Sequence, residues 1–179
     1  GRQRQMCIRD RFSSDEIKVA AQAIKAGELV SFPTETVYGL GADATNPEAV
    51  KKVYAAKGRP SDNPLIVHVA DQTEVAKFAN IDDKSKKLMD QFWPGPLTII
   101  LPIKKGALNS IVTGGLDTAA FRNPATQVTI DLIRIAGVPL VGPSANTSGK
   151  PSPTKPEHVL HDLDGKIAGV LDDGETTIG

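Results

Sequence analysis

Apolar and polar positions along the chain switch repeatedly between a helical and an extended period from Ser13 onward. Ser13 and Glu16 stand at capping-box spacing. Ile17, Ala21 and Ile24 follow at helical spacing, and Gly27 is placed to close that helix. Residues 29–32 read as a buried strand. Asn46 with Pro47 behind it predicts the start of a second helix, with Val50, Val53 and Tyr54 on its apolar face and Gly58 as its stop. Residues 65–69 read as a strand, and weaker helical spacing covers 73–79 and 83–92. Residues 97–102 and 118–122 are expected strands. A helix is expected over about 125–136 with Gly137 as its C-cap, and 139–141 and 167–171 are short strands. Helices set between short apolar strands predict a layered α/β fold. Residues 13–179 show no repeat, low-complexity tract or linker, so they are expected to form one domain.

Residues 1–12 fall outside this pattern: they are basic, lack a hydrophobic period and end abruptly at the expected helix start. They are read as a non-native or disordered leader. Apolar residues make up 40% of the sequence and charged residues 23%, ordinary globular values that exclude wholesale disorder. The 21 basic and 21 acidic side chains cancel, so bulk charge favours neither nucleic acid nor membrane nor an acidic partner. Affinity for RNA would have to come from a local basic patch. Cys7 is the single cysteine, which excludes an internal disulfide and a cysteine-rich zinc site and suits a reducing, cytoplasmic location. No apolar run approaches the roughly 20 residues that cross a bilayer, and no apolar stretch near the start predicts a signal peptide.

Four segments carry turn residues and small polar groups in excess of a core's needs. The first runs from Pro33 to Gly41 (Pro-Thr-Glu-Thr-Val-Tyr-Gly-Leu-Gly), directly after a strand. Open α/β sheets bind ligands at such strand ends, and glycines let a backbone approach a ligand closely; an ordinary strand-to-loop turn is the competing reading. The second runs from Lys57 to Pro64. Lys57 and Arg59 flank Gly58, and Pro60 and Pro64 stiffen the loop. Two cations on a stiff loop suit phosphate oxygens, although both could merely complement a helix C-terminus. The third, 118–124, ends an apolar strand in Arg122-Asn123-Pro124. Arg122 could hold a carboxylate in a two-pronged pair or serve a structural salt bridge. The fourth, 142–154, carries Ser144, Asn146, Thr147, Ser148, Lys150 and Ser152 among prolines and glycines. Its donors suit phosphates or a base, and its length argues against a plain surface loop.

Other residues carry less. His68 within the 65–69 strand reads most simply as a buried, hydrogen-bonded histidine. His158 and His161 share a helix face without a third ligand at fitting spacing, so no metal site is expected. Asp172, Asp173 and Glu175 read as a solvated acidic turn, and 92–96 as a packed turn around Trp93. No Gly-x-Ser-x-Gly elbow or Cys-His pair offers a covalent nucleophile.

Taken in order, Pro33 to Gly41 with Ala42-Asp43-Ala44, Lys57 to Leu65, Phe92 to Thr98 and Gly142 to Thr154 resemble the YrdC/Sua5 family of threonylcarbamoyl-AMP synthases, over nearly all of 13–179. The chain resembles the catalytic domain alone, without the C-terminal extension of Sua5-type members. The resemblance implies an open, twisted mixed sheet with flanking helices and a deep central cavity. It implies the substrates ATP (with Mg2+), L-threonine and bicarbonate, and the products threonylcarbamoyl-AMP and pyrophosphate. Threonylcarbamoyl-transferase proteins downstream would pass the group to tRNA. Carried over by residue, Thr36, His68, Arg122 and Gly142 are the implied threonine pocket, with Arg122 on the carboxylate. Lys57, Arg59, Asn63, Thr118, Ser144, Asn146 and Ser152 are implied ATP contacts, and Lys57 and Arg59 would neutralise the triphosphate during displacement. The family pattern continues past Asp173-Gly174 into a further strand, so the domain is expected to be truncated where this sequence ends.

Two other readings follow from the same resemblance. One is a tRNA- or double-stranded-RNA-binding module, for which Lys57, Arg59, Arg122 and Lys150 could form the basic patch. The other is the related carbamoyl-transfer domain of hydrogenase maturation enzymes, which sits in long chains with acylphosphatase and zinc-finger segments that this sequence lacks.

Overall fold

The computed structural model describes residues 11–12, 16–58, 64–146, 151–163 and 165–172. Its strands are β1 (Arg11–Phe12), β2 (Val30–Pro33), β3 (Tyr38–Asp43), β4 (Ile66–His68), β5 (Thr98–Pro102), β6 (Thr118–Arg122), β7 (Leu140–Val141) and β8 (Gly169–Leu171). They form one mixed sheet in the order β1-β8-β2-β3-β7-β4-β6-β5. β8 lies parallel to β1 and β2, and β4 parallel to β6; the remaining pairs are antiparallel. Seven α-helical elements among the described residues connect and cover the sheet: α1 (Ile17–Lys25), α2 (Pro47–Lys57), α3 (Gln72–Val75), α4 (Asp83–Phe92), α5 (Ser110–Thr113), α6 (Gln127–Ala136) and α7 (Pro156–Leu163). The single-domain mixed α/β expectation holds. Arg11 and Phe12, expected to belong to a leader, form the short strand beside β8.

Local chemistry accounts for the elements that the sequence places well. α2 begins where the Asn46 side chain accepts from the N–H groups of Glu48 and Ala49, and ends at Gly58, whose φ of 70° only glycine adopts cheaply. α6 ends the same way at Gly137. α1 starts after Glu16 without a side-chain cap, and Ser13 lies outside the described residues.

One segment is corrected. Residues 33–41 are not a ligand loop throughout: Tyr38–Asp43 is a strand, paired antiparallel with β2 across a tight turn at 34–37. The glycines that suggested a loop are accommodated by Phe32. A Cβ at Gly39 would stand 2.9 Å from its ring, and one at Gly41 2.8 Å from it. The aromatic ring occupies the space that two side chains would fill, so glycine inside the strand is a packing requirement.

The sheet is buried unequally. On one face α1 and α6 pack on Val30, Phe32 and Leu140. On the other, α2, α4, α5 and α7 pack on Tyr38, Leu40, Val67, Ile99, Leu101, Ala119 and Phe121. Because side chains alternate along a strand, Thr98, Ile100, Pro102, Thr118, Ala120 and Arg122 share the face opposite Ile99, Leu101, Ala119 and Phe121. Ile100 there is 67% exposed. That face is therefore open at the β5 edge of the sheet.

Candidate functional site

β4, β6 and β7 lie side by side, which makes His68 a register partner of both Arg122 and Leu140. The His68 ring is 2% exposed and meets Phe32 edge-on at 5.3 Å between centroids. Its Nδ1 lies 3.2 Å from the Ile66 carbonyl. Burial first, and then the Arg122 charge beside it, lower its pKa to about 3. The imidazole is therefore neutral at physiological pH, a hydrogen-bonding group and not a cation. Gly142 passes directly over it: a Cβ at that position would stand 2.7 Å from the imidazole and 2.6 Å from Phe32.

Arg122 is buried at the end of β6. Its Nε donates to the Gly95 carbonyl at 3.3 Å and its Nη2 to Glu35. Burial lowers its pKa and the Glu35 charge opposes that shift. Thr36 sits beside Glu35 in the 34–37 turn. The turn is held by Thr34, whose hydroxyl donates to the Val37 carbonyl at 2.6 Å and accepts from the backbone N–H groups of Thr36 and Val37. The Thr129 hydroxyl ties the base of the turn to α6 through the Pro33 carbonyl.

A second cluster forms around Lys57 at the end of α2. Its ammonium is buried and donates to the Ser144 carbonyl at 2.5 Å and the Asn146 carbonyl at 2.9 Å. Ser152 Oγ donates to Ser144 Oγ at 3.3 Å. The 142–146 segment binds this cluster to the sheet. The Leu40 N–H donates to the Pro143 carbonyl at 2.7 Å, and Ala145 N–H to the Tyr38 carbonyl at 2.9 Å. One short segment thus touches the His68 ring through Gly142 and the Lys57 ammonium through Ser144.

Among the residues named from sequence, Thr36, His68, Arg122 and Gly142 therefore border one place, and Lys57, Ser144, Asn146 and Ser152 gather at another. Thr118 stands apart from the first of these. It pairs with Pro102 at the opposite end of β6, about 13 Å along the strand from Arg122. Arg59, Asn63 and Lys150 lie outside the described residues. The basic patch considered for RNA loses two of its four cations as surface charges, because Lys57 and Arg122 are 3% and 8% exposed with their polar ends engaged inside the fold. Sequence reasoning missed Glu35 and Thr34. Both lie within a quoted motif, but the pairing of Glu35 with Arg122, 87 positions away, follows only from strand order.

A cavity of about 700 Å³ lies elsewhere, between α3 and α4, lined by Gln72, Thr73, Ala76, Ile81, Asp82, Asp83 and Lys86. It contains none of the candidate site residues, and Gln72 alone among its lining holds a buried side-chain oxygen without a partner. The strand-end clusters are the stronger candidate for chemistry. No helix among the described residues is long and apolar enough to cross a membrane.

Comparison with known proteins places these observations in context. A family model named for Sua5, YciO and YrdC, and described as telomere recombination, matches residues 22–179. The threonylcarbamoyl-AMP synthase of Bacillus subtilis is 55% identical over 175 residues, 96% of this chain and 51% of that protein. The synthase of Pyrococcus abyssi is 49% identical over 173 residues, with the same coverage of 96% and 51%. The crystal structure of P. abyssi Sua5 complexed with L-threonine superposes with a TM-score of 0.89 at 48% identity, over 96% of this chain and 51% of that one. The chain thus spans about half the length of these relatives.

Proposed function

The chain belongs to the Sua5/YciO/YrdC family, and from that premise we propose that it condenses L-threonine, bicarbonate and ATP into threonylcarbamoyl-AMP and pyrophosphate. In this reading it is a cytoplasmic nucleotidyltransferase acting ahead of tRNA modification, and transferase proteins consume its product. The observation that carries the reading is the link through residues 142–146 between a buried Arg–neutral His pair and a buried lysine with a loop of hydroxyl and amide groups.

Arg122 takes the amino acid carboxylate, since guanidinium and carboxylate pair strongly where water is scarce. The neutral His68 and the Thr36 hydroxyl recognise the substrate hydroxyl. Gly142 contributes its backbone where no side chain fits. The α-amino nitrogen bonds to the carbon of bicarbonate, a C–O bond breaks and water leaves, and the resulting carbamate presents an oxygen nucleophile. That oxygen attacks the α-phosphorus of ATP and the α–β bond breaks, releasing pyrophosphate. Ser144, Asn146 and Ser152 line the nucleotide side, joined in this reading by Arg59, Asn63 and Thr118. Lys57 supplies positive charge beneath the 144–146 loop. Magnesium arrives as part of the nucleotide substrate. Lys57, Ser144 and Asn146 bring no carboxylate to this side, so the ion would be carried on phosphate and water oxygens. No covalent intermediate is required, because positioning and electrostatic stabilisation supply most of such a transfer.

The test is pyrophosphate release by the purified chain with MgATP and bicarbonate, with and without L-threonine. Release that requires both threonine and bicarbonate supports the synthase. Equal release with threonine omitted rules it out.

A further inference from the structure

We propose that Glu35 is the positioning residue for Arg122: it holds the guanidinium in the orientation from which the remaining N–H donors receive the substrate carboxylate. This rests on the reading of Arg122 given above and adds a residue to it. Arg122 and Glu35 expose only 10% and 13% of their side chains. A long, flexible cation so buried needs a fixed counter-charge, or it turns outward to water. Glu35 provides one with both oxygens. Oε1 accepts from Arg122 Nη2, and Oε2 accepts from the Ala125 backbone N–H at 3.0 Å. On the other side Arg122 Nε is held by the Gly95 carbonyl.

Three otherwise separate turns therefore meet at one guanidinium: 34–37 after β2, 123–126 after β6, and 93–97 before β5. The Gly95 N–H closes the ring of contacts by donating to the Asn123 carbonyl at 2.8 Å. Two directions of the Arg122 fork are fixed by these partners. Its other donors have no acceptor among the described residues, which leaves them for a ligand. The Ala125 contact matters for choosing the variant. Glu35→Gln keeps the size of the side chain, but its amide cannot accept from both Arg122 and Ala125 without turning an N–H against an N–H.

The experiment measures L-threonine and MgATP affinities by calorimetry for the parent, Glu35→Gln, Arg122→Ala and the double variant. It also follows the Arg122 Nε–H resonance by NMR. We expect Glu35→Gln to weaken threonine about tenfold or more while MgATP stays within about twofold. Because Glu35 acts through Arg122, the double variant should bind threonine no worse than Arg122→Ala alone. The Nε–H signal should be slow to exchange in the parent and fast in Glu35→Gln. Unchanged or tighter threonine binding in Glu35→Gln overturns the proposal, the latter by making Glu35 a competitor of the substrate. Equal weakening of both ligands, or additive losses in the double variant, overturns it as well. If the parent binds no threonine, the proposed function fails, and the Nε–H exchange still decides whether Glu35 holds Arg122.

Discussion

His68 is a titratable residue buried away from water, and its chemistry has a consequence that needs no substrate to observe. Buried against Phe32 and beside the Arg122 charge, it titrates at about 3 instead of near 6.5. Below pH 6.5 the unfolded chain takes up a proton at this position that the folded chain refuses. Acidification therefore favours the unfolded state throughout the window from 6.5 down to about 3. Going from pH 7 to pH 5, His68 alone should remove about 2 kcal/mol of stability. Urea unfolding at the two pH values, compared between the parent and His68→Gln, measures it. The variant should lose less on acidification by roughly that amount. If both proteins lose the same, His68 is not held neutral by the fold. Glu35 shows the complementary lesson at this scale. It is an ordinary acidic residue in a turn until β6 brings Arg122 to it.

At the scale of elements, packing leaves little latitude at the join between β7 and the 142–146 segment. An alanine Cβ at Gly142 would overlap the rings of both Phe32 and His68 at under 3 Å, and neither ring is the loose end of a flexible chain. Gly142→Ala should therefore displace the segment and cost about 1–3 kcal/mol, and it should weaken threonine along with it. Thermal unfolding and calorimetry of that variant test both effects. A variant as stable and as tight-binding as the parent would remove Gly142 from the site. Elements of this molecule were legible in the sequence where their causes are local. Asn46 and Gly58 bound α2 because a cap and a left-handed glycine act over a few residues, and β6 runs over the expected residues 118–122. β3 was not legible, because Gly39 and Gly41 answer to Phe32 on the neighbouring strand. α5, four residues between the cap Asn109 and Gly114, was too short to show a period. The cluster of Lys57 with Ser144 and Asn146 was legible as motifs, but not as a buried strap, since its partners lie 87 and 89 positions away.

For the whole molecule, the candidate site lies where the two parts of the sheet join. β3 and β7 share only the Ala42–Val141 and Asp43–Leu140 pairs, extended by the contacts of Leu40 and Tyr38 with 143–145. Glu35 and Thr36 come from one side of this join, His68 and Arg122 from the other. A threonine held by both sides acts as a cross-link present only in the folded state. Ligand at about a hundred times its Kd stabilises the native state by about 2.7 kcal/mol. In a domain of this length that corresponds to a melting temperature higher by about 5–10 °C. The discriminating comparison is L-valine, which matches threonine in shape and charge but lacks the hydroxyl. A pocket that assigns neutral His68 and Thr36 to that hydroxyl loses those hydrogen bonds when valine enters, so discrimination should exceed the limit set by size alone. Melting curves over matched concentrations of the two amino acids should shift upward with threonine and scarcely move with valine. The threonine shift should vanish in Arg122→Ala. If valine stabilises the protein as well as threonine does, His68 and Thr36 do not read the hydroxyl, and only the carboxylate contact at Arg122 remains of the proposed pocket.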